Sequence, residues 1–82
     1  MKYHISEIVY PEGDRQEITH TLTINQAVDI NGYPLRVPVA SVRMIAYRVY
    51  KKTTREERNE IVTSYYLYQL TIEELESLAA SG

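Results

Sequence analysis

Between residues 18 and 30 the chain alternates. Ile18, His20, Leu22, Ile24, Gln26, Val28 and Ile30 share one side of an extended backbone, and Thr19, Thr21, Thr23, Asn25, Ala27 and Asp29 share the other. Period two is the mark of a half-buried strand. After Asn31-Gly32 the alternation resumes, with Tyr33, Leu35, Val37 and Val39 opposite Pro34, Arg36 and Pro38. An Asn-Gly pair between two alternating arms predicts a hairpin closed by a two-residue type I′ turn, with positive φ at both turn positions. The register follows: Ile30 opposite Tyr33, Val28 opposite Leu35, Gln26 opposite Val37 and Ile24 opposite Val39.

That register also accounts for prolines in a strand. Pro34 and Pro38 fall at positions that do not bond to the partner arm, where the missing N–H would have pointed away from it. They forbid a further neighbour on the other side, so 33–39 is expected at a sheet edge.

Upstream, Tyr3-His4-Ile5 and Ile8-Val9-Tyr10 form a β-prone run that ends in the turn cluster Pro11-Glu12-Gly13-Asp14, which predicts a hairpin joining about 2–10 to 16–24. Tyr3 and Ile5 are odd-numbered while Ile8 and Tyr10 are even, and a bulge near Ser6-Glu7 would bring them onto one face. Downstream, VRMIAYRVYKK (42–52) and EIVTSYYLYQL (60–70) are dense in Val, Ile and Tyr, and predict a second hairpin with a long, exposed, mobile loop at about 53–60. A helical alternative rests on Val42, Ile45, Ala46 and Val49 at helical spacing and on Thr54-Arg55-Glu56-Glu57 as a capping box. Thr71-Ile72-Glu73-Glu74 is a second capping box. It opens a short amphipathic helix over about 72–79 with Ile72, Leu75, Leu78 and Ala79 on one stripe, and Ser81 and Gly82 should fray. The expected fold is a single α+β, β-rich domain over 1–82: a small antiparallel sheet of about five strands, in two or three hairpins, with one short C-terminal helix.

Length changes the picture, because a chain of 82 residues buries only about 60–65% of its unfolded surface. Domains of this size often add a disulfide, a metal or a partner subunit to the core. There is no cysteine, which leaves oligomerisation as a ready support. No apolar run has the length of a signal peptide or a membrane span, so the expectation is a soluble cytoplasmic protein with no membrane partner. All eight aromatics are tyrosines. Buried tyrosines need a hydroxyl partner, whereas interfacial ones can leave the hydroxyl wet.

Net charge is −2 but sorted along the chain. Lys2 and Arg15 oppose Glu7, Glu12, Asp14, Glu17 and Asp29 in residues 1–29. Residues 30–55 hold Arg36, Arg43, Arg48, Lys51, Lys52 and Arg55 with no acid, and 56–82 hold Arg58 against six glutamates. Either the acidic end lies over the basic middle, or the basic middle meets an acidic partner.

Catalysis has little support in the motifs. Three glycines and no Gly-x-Ser-x-Gly leave neither a nucleophile elbow nor a phosphate-cradling loop. His4 and His20 could be neighbours across the first hairpin, but His20 on an apolar face reads as a structural residue, and two histidines without a third ligand are a weak metal signal. Neither Glu56-Glu57 nor Glu73-Glu74 flanks a cleft as a carboxylate couple must. No cofactor, metal or enzymatic activity is expected.

The segment 42–52 interleaves cations with tyrosines, and carries the binding expectation on Arg43, Tyr47, Arg48, Tyr50 and Lys51, joined by Tyr66 from 65–68. The favoured reading is a small protein-interaction or assembly module that contacts a protein partner or itself as a homodimer, with a proline-free sheet edge at 60–70 as a second point of pairing. The alternative is a single-stranded nucleic-acid platform in which Arg43, Arg48, Lys51, Lys52 and Arg55 meet phosphates while Tyr47 or Tyr50 stacks on bases. It requires the C-terminal glutamates to lie away from the basic strand. A small enzyme or enzyme accessory subunit is a third class.

Overall fold

In a computed structural model that describes residues 2–36 and 44–80, five strands form one sheet: β1 (Tyr3–Val9), β2 (Arg15–Ile18), β3 (Ala27–Asp29), β4 (Ala46–Glu57) and β5 (Glu60–Gln69). One helix, α1 (Ile72–Ala80), follows. The spatial order is β2-β1-β5-β4-β3. The fold is thus the β-rich α+β sheet the chain predicts, with a mostly antiparallel arrangement. Its one parallel pair is β1 with β5, running from Tyr3↔Glu60 to Val9↔Tyr66. The β1–β2 hairpin forms where expected but is shorter than the expected pairing of 2–10 with 16–24, running only from Ser6↔Ile18 to Val9↔Arg15. The pairings of β1 run through Ser6 and Glu7 without the bulge expected there, because Tyr3 is 70% exposed and does not have to share a face with Ile8.

The second hairpin is longer and tighter than expected. Glu57 pairs with Glu60 across a two-residue turn, Arg58-Asn59, in which Asn59 takes a φ of 63°. Asparagine tolerates this left-handed conformation better than most side chains. The stretch 53–60 is therefore mostly strand, not a mobile loop, and Thr54-Arg55-Glu56-Glu57 caps no helix. The helical alternative fails for the described part of 42–52, since β4 pairs with β5 along almost its whole length. At about 3.4 Å per residue a twelve-residue strand reaches about 40 Å, which sets the 45 Å long dimension of the molecule. The bulge lies at Tyr50, where the register shifts between Val49 and Lys51. β5 is central, between β1 and β4, so 60–70 is not a free edge.

The alternating stretch 18–30 is not one strand. β2 ends at Ile18, the chain crosses from one edge of the sheet to the other, and β3 begins at Ala27. The crossing is anchored by Asn25 N–H donating to the Val49 carbonyl at 2.7 Å and by Val49 N–H donating to the Gln26 carbonyl at 3.0 Å. Alternation survives in burial where pairing is absent: Leu22 is buried and Thr21 and Thr23 are exposed.

The Asn31-Gly32 turn also departs from expectation. Positive φ falls on Gly32 (84°) and not on Asn31. Gly32 N–H donates to the Asp29 carbonyl at 3.0 Å and Asp29 N–H to the Tyr33 carbonyl at 2.8 Å. That is a three-residue loop, a turn followed by one left-handed glycine. The Asp29 carboxylate fixes it by accepting from the N–H of Asn31 (2.8 Å) and Tyr33 (3.0 Å). Val28 consequently bridges to Pro34 rather than to Leu35. A one-residue slip exchanges faces, and Val28 and Leu35 indeed enter different cores. The argument for the proline holds in the new register. The bonds Asp29 N–H to Tyr33 and Leu35 N–H to Ala27 flank Pro34, so its missing N–H faces away from β3. Val37, Pro38, Val39, Arg43, Ser81 and Gly82 lie outside the described residues.

The sheet therefore has two different faces. One carries Ile8, Ile18, Val28, Tyr47, Val49, Tyr65 and Leu67, sealed by Leu22 from the crossing segment and by Tyr10. Gly32 closes in here as well, since a Cβ on it would stand 2.8 Å from Ile8 Cδ1. The other face is half covered. α1 sets Leu75 and Leu78 on Ala27, Ala46 and Leu70. Its capping box forms in both directions: Thr71 Oγ1 accepts from the Glu74 N–H (3.1 Å) and Glu74 Oε1 from the Thr71 N–H (3.0 Å).

Candidate functional site

On the half-covered face, strand register places Arg48 opposite Tyr68 and Lys51 opposite Tyr66. The bulge adds Tyr50 to the same side: its ring centroid lies 6.4 Å from that of Tyr66 and 6.1 Å from that of Tyr68. Lys51 Nζ stands 5.2 Å above the Tyr66 ring, within reach of a cation–π attraction. Tyr50 is 53% and Tyr68 37% exposed. The result is a tyrosine floor with a cation on it, beside the wall formed by α1.

The wall is acidic. Glu73, Glu74 and Glu76 lie on α1 with no basic residue in its last turn. Tyr68 Oη donates to Glu74 Oε2 at 3.4 Å. The Glu74 carboxyl is held below the ordinary carboxylate range, chiefly by the Thr71 N–H, with Tyr68 and the Arg48 charge adding to it. The Arg48 Nε is buried and has no hydrogen-bond partner among the described residues.

Further along the same face lies a second polar cluster. Ser64 is fully buried at the centre of the sheet, and its hydroxyl donates to Glu7 Oε2 at 2.6 Å. Arg15 pairs with the same carboxylate. Arg55 Nη1 lies 3.5 Å from it and 3.3 Å from Ser64 Oγ, while Arg55 Nε donates to Glu57 at 2.7 Å. Burial pushes the Glu7 carboxyl up, but the Ser64 hydrogen bond and the two guanidinium charges outweigh it and leave it below its ordinary value. Two cations and two carboxylates thus satisfy one another.

Of the residues singled out from the sequence, the structure brings together Tyr50, Lys51 and Tyr66, with Arg48 at the margin of α1. Tyr47 lies in the sealed core, 7% exposed, with its ring edge-on to Tyr10 at 5.4 Å. Burial, then the charge of Glu12, raises its phenol above the ordinary range. Arg43 is outside the described residues. Lys52 stands over Tyr65 on the opposite face, and Arg55 is held by the carboxylates. His20 stacks on Tyr33 and donates through Nε2 to the Gly32 carbonyl at 2.7 Å. Tyr68 was not among the chosen residues, although its spacing of two from Tyr66 places it on the same side. The Glu7–Ser64 pair has no local signal, since it depends on the parallel register of β1 with β5.

These features define a small β-rich α+β domain whose bare half-face carries a tyrosine and cation surface against an acidic helix. The chain belongs to the family described as uncharacterised Treponema protein, whose model matches residues 2–78. No curated protein and no solved structure matches it. Among the described residues no helix is long and apolar enough to cross a membrane.

Proposed function

We propose that the protein is a small interaction or assembly module that acts in the cytoplasm and docks a protein partner on Tyr50, Lys51, Tyr66 and Tyr68. The observation that carries this reading is the three-tyrosine cluster with Lys51 over it, open on the half of the sheet that α1 leaves bare. Tyrosine offers large contact area at small entropic cost and tolerates a wet hydroxyl, which suits it to interfaces. A nucleic-acid strand is less well served, since Tyr47 is buried, Lys52 faces the other way, and Glu74 sits on Tyr68 where a phosphate would be repelled. An enzymatic reading gains little from Ser64, whose hydroxyl donates to a carboxylate that holds its proton weakly and is a poor base.

A photo-crosslinking side chain placed at Tyr50, in cells of the source organism, should give protein adducts in several-fold greater yield than one at Thr54, which is exposed on the opposite face. Tyr66→Ala should abolish the difference. Equal yields at the two positions, or none at either, would sink the reading. Affinity for a labelled mixed-sequence oligonucleotide at low salt, lost on Tyr50→Ala, would favour the nucleic-acid alternative instead.

A further inference from the structure

We infer that the partner is a second copy of this chain, docked about a two-fold axis so that α1 of each copy lies across the tyrosine floor of the other. This rests on the interaction reading above and names its partner.

The first argument is shape. α1 covers one half of a sheet face, through Leu75 and Leu78 on Ala46 and Leu70, and leaves Tyr50, Tyr66 and Tyr68 beside it as a lower step. A step of this kind is complementary to itself. Rotated by a two-fold, the helix of one copy fills the step of the other, and the two helices lie side by side between two sheets. Such isologous pairing uses the same patch twice.

The second argument is charge. Lys51 stands on the floor, exposed, with an aromatic ring beneath it and no carboxylate paired to it among the described residues. Glu73 lies two positions before the buried Leu75, so on a helix it points away from the sheet, and it is exposed. In the two-fold arrangement the outward Glu73 of one copy comes down on the Lys51 of the other, and the reverse contact forms at the same time. A floor of one sign and a wall of the opposite sign, side by side on one patch, are complementary to themselves and poorly complementary to a partner of uniform charge. An 82-residue chain without cysteine also gains most from added burial of this kind.

Charge exchange tests this. Sedimentation of the 82-residue chain from about 1 μM to about 1 mM should show a concentration-dependent dimer. Lys51→Glu sets Glu against Glu73 in both symmetric contacts, and Glu73→Lys sets Lys against Lys51. Each variant alone should dimerise about tenfold more weakly than wild type or worse. Mixed in equal amounts, the two should form a heterodimer near wild-type affinity, because each reversed site then meets its opposite. Recovery on mixing cannot come from chains that have lost their fold. The inference is overturned by a wild-type chain that stays monomeric throughout the range, by single variants that dimerise as wild type does, or by folded variants that do not associate on mixing. A monomeric chain would leave protein binding itself to the Tyr50 crosslinks, which would then carry the masses of other proteins rather than of two copies.

Discussion

The two faces of the sheet are built by different rules. On the sealed face, eight buried residues from all five strands and the crossing segment close one apolar cluster. Two polar side chains beside it are paired: Tyr10 Oη donates to the Ile30 carbonyl at 2.6 Å, and His20 donates to Gly32. On the other face a helix covers one part, and beyond it the buried Val9 and Val62 share the surface with a hydrogen-bonded, charged cluster centred on Ser64 and Glu7. Apolar contact has no direction and rewards closure. A polar network tolerates an open side, because its outer members stay hydrated. The contrast teaches where stability resides and where a partner can be accepted without unfolding anything.

The largest effect that separates the faces is expected at Gly32. Its φ of 84° is costly for any residue with a Cβ, and the Cβ would stand 2.8 Å from the Ile8 side chain in the sealed cluster. Gly32→Val adds a β-branched side chain to both problems and should cost about 3 kcal/mol, read as a shift of the urea midpoint. Gly13, also at positive φ (99°), has nothing within 4 Å of its Cβ position. The same change there should cost clearly less, since only backbone strain remains. Equal costs at the two glycines would show that the sealed face yields as readily as an open turn.

The sealed face was also the more legible from sequence. Alternation in 18–30 marked Ile18, Leu22, Ile24, Val28 and Ile30 as one inward side; Ile18, Leu22 and Val28 are buried, whereas Ile24 and Ile30 stand 47% and 49% exposed. It did not show that the chain leaves the strand between Ile18 and Ala27, because a side chain directed at a core alternates whether or not its backbone is paired. At Asn31-Gly32 the turn signal was right about place and about Gly32. The Asp29 carboxylate then selected a three-residue loop, and one residue of slip sent Leu35 to the other core. The capping box at Thr71 was fully readable, since its two bonds are local. Thr54-Arg55-Glu56-Glu57 has the same Thr-x-Glu-Glu pattern and forms a strand, because pairing with β5 overrides a helix start worth about 1 kcal/mol. What stayed hidden on the open face was everything that depends on β1 lying parallel to β5. Residues 57 positions apart, such as Glu7 and Ser64, have no periodicity in common.

The second effect belongs to that hidden pair. Glu7 is ionised more readily in the folded chain than its ordinary value of 4.5 implies. Its stabilising contribution is therefore complete above about that value and is lost as pH falls through the lower, folded one. Stability should fall on acidification in that window, and Glu7→Gln should remove this part of the pH dependence. At neutral pH the same change should cost about 1–3 kcal/mol, since it replaces a charge-assisted bond from a buried hydroxyl with a neutral one and leaves Arg15 without its carboxylate. The measurement is urea unfolding of both chains across the acid range. If their difference in stability did not change with pH, the network would not be held by charge.

The smallest effect on stability is expected at Tyr50, and its smallness carries the argument. The ring touches Tyr66 and Tyr68 in tilted geometry but is more than half exposed, so Tyr50→Ala removes two partial contacts and leaves no cavity. Aromatic pairs are worth about 0.5–1.5 kcal/mol each when fully engaged, and exposure brings the sum here to about 0.5–1 kcal/mol. Tyr65, its near neighbour in β5, is 1% exposed in the sealed cluster, where loss of an aromatic ring costs about 3–5 kcal/mol. On the proposed reading, a residue that contributes so little to its own fold, while presenting so much ring to solvent, has its worth in what it meets. Tyr50→Ala should therefore leave thermal unfolding nearly unchanged and abolish association in the same sample. Destabilisation as large as that of Tyr65→Ala would place Tyr50 within the fold's own packing, and the open face would lose its claim to a partner.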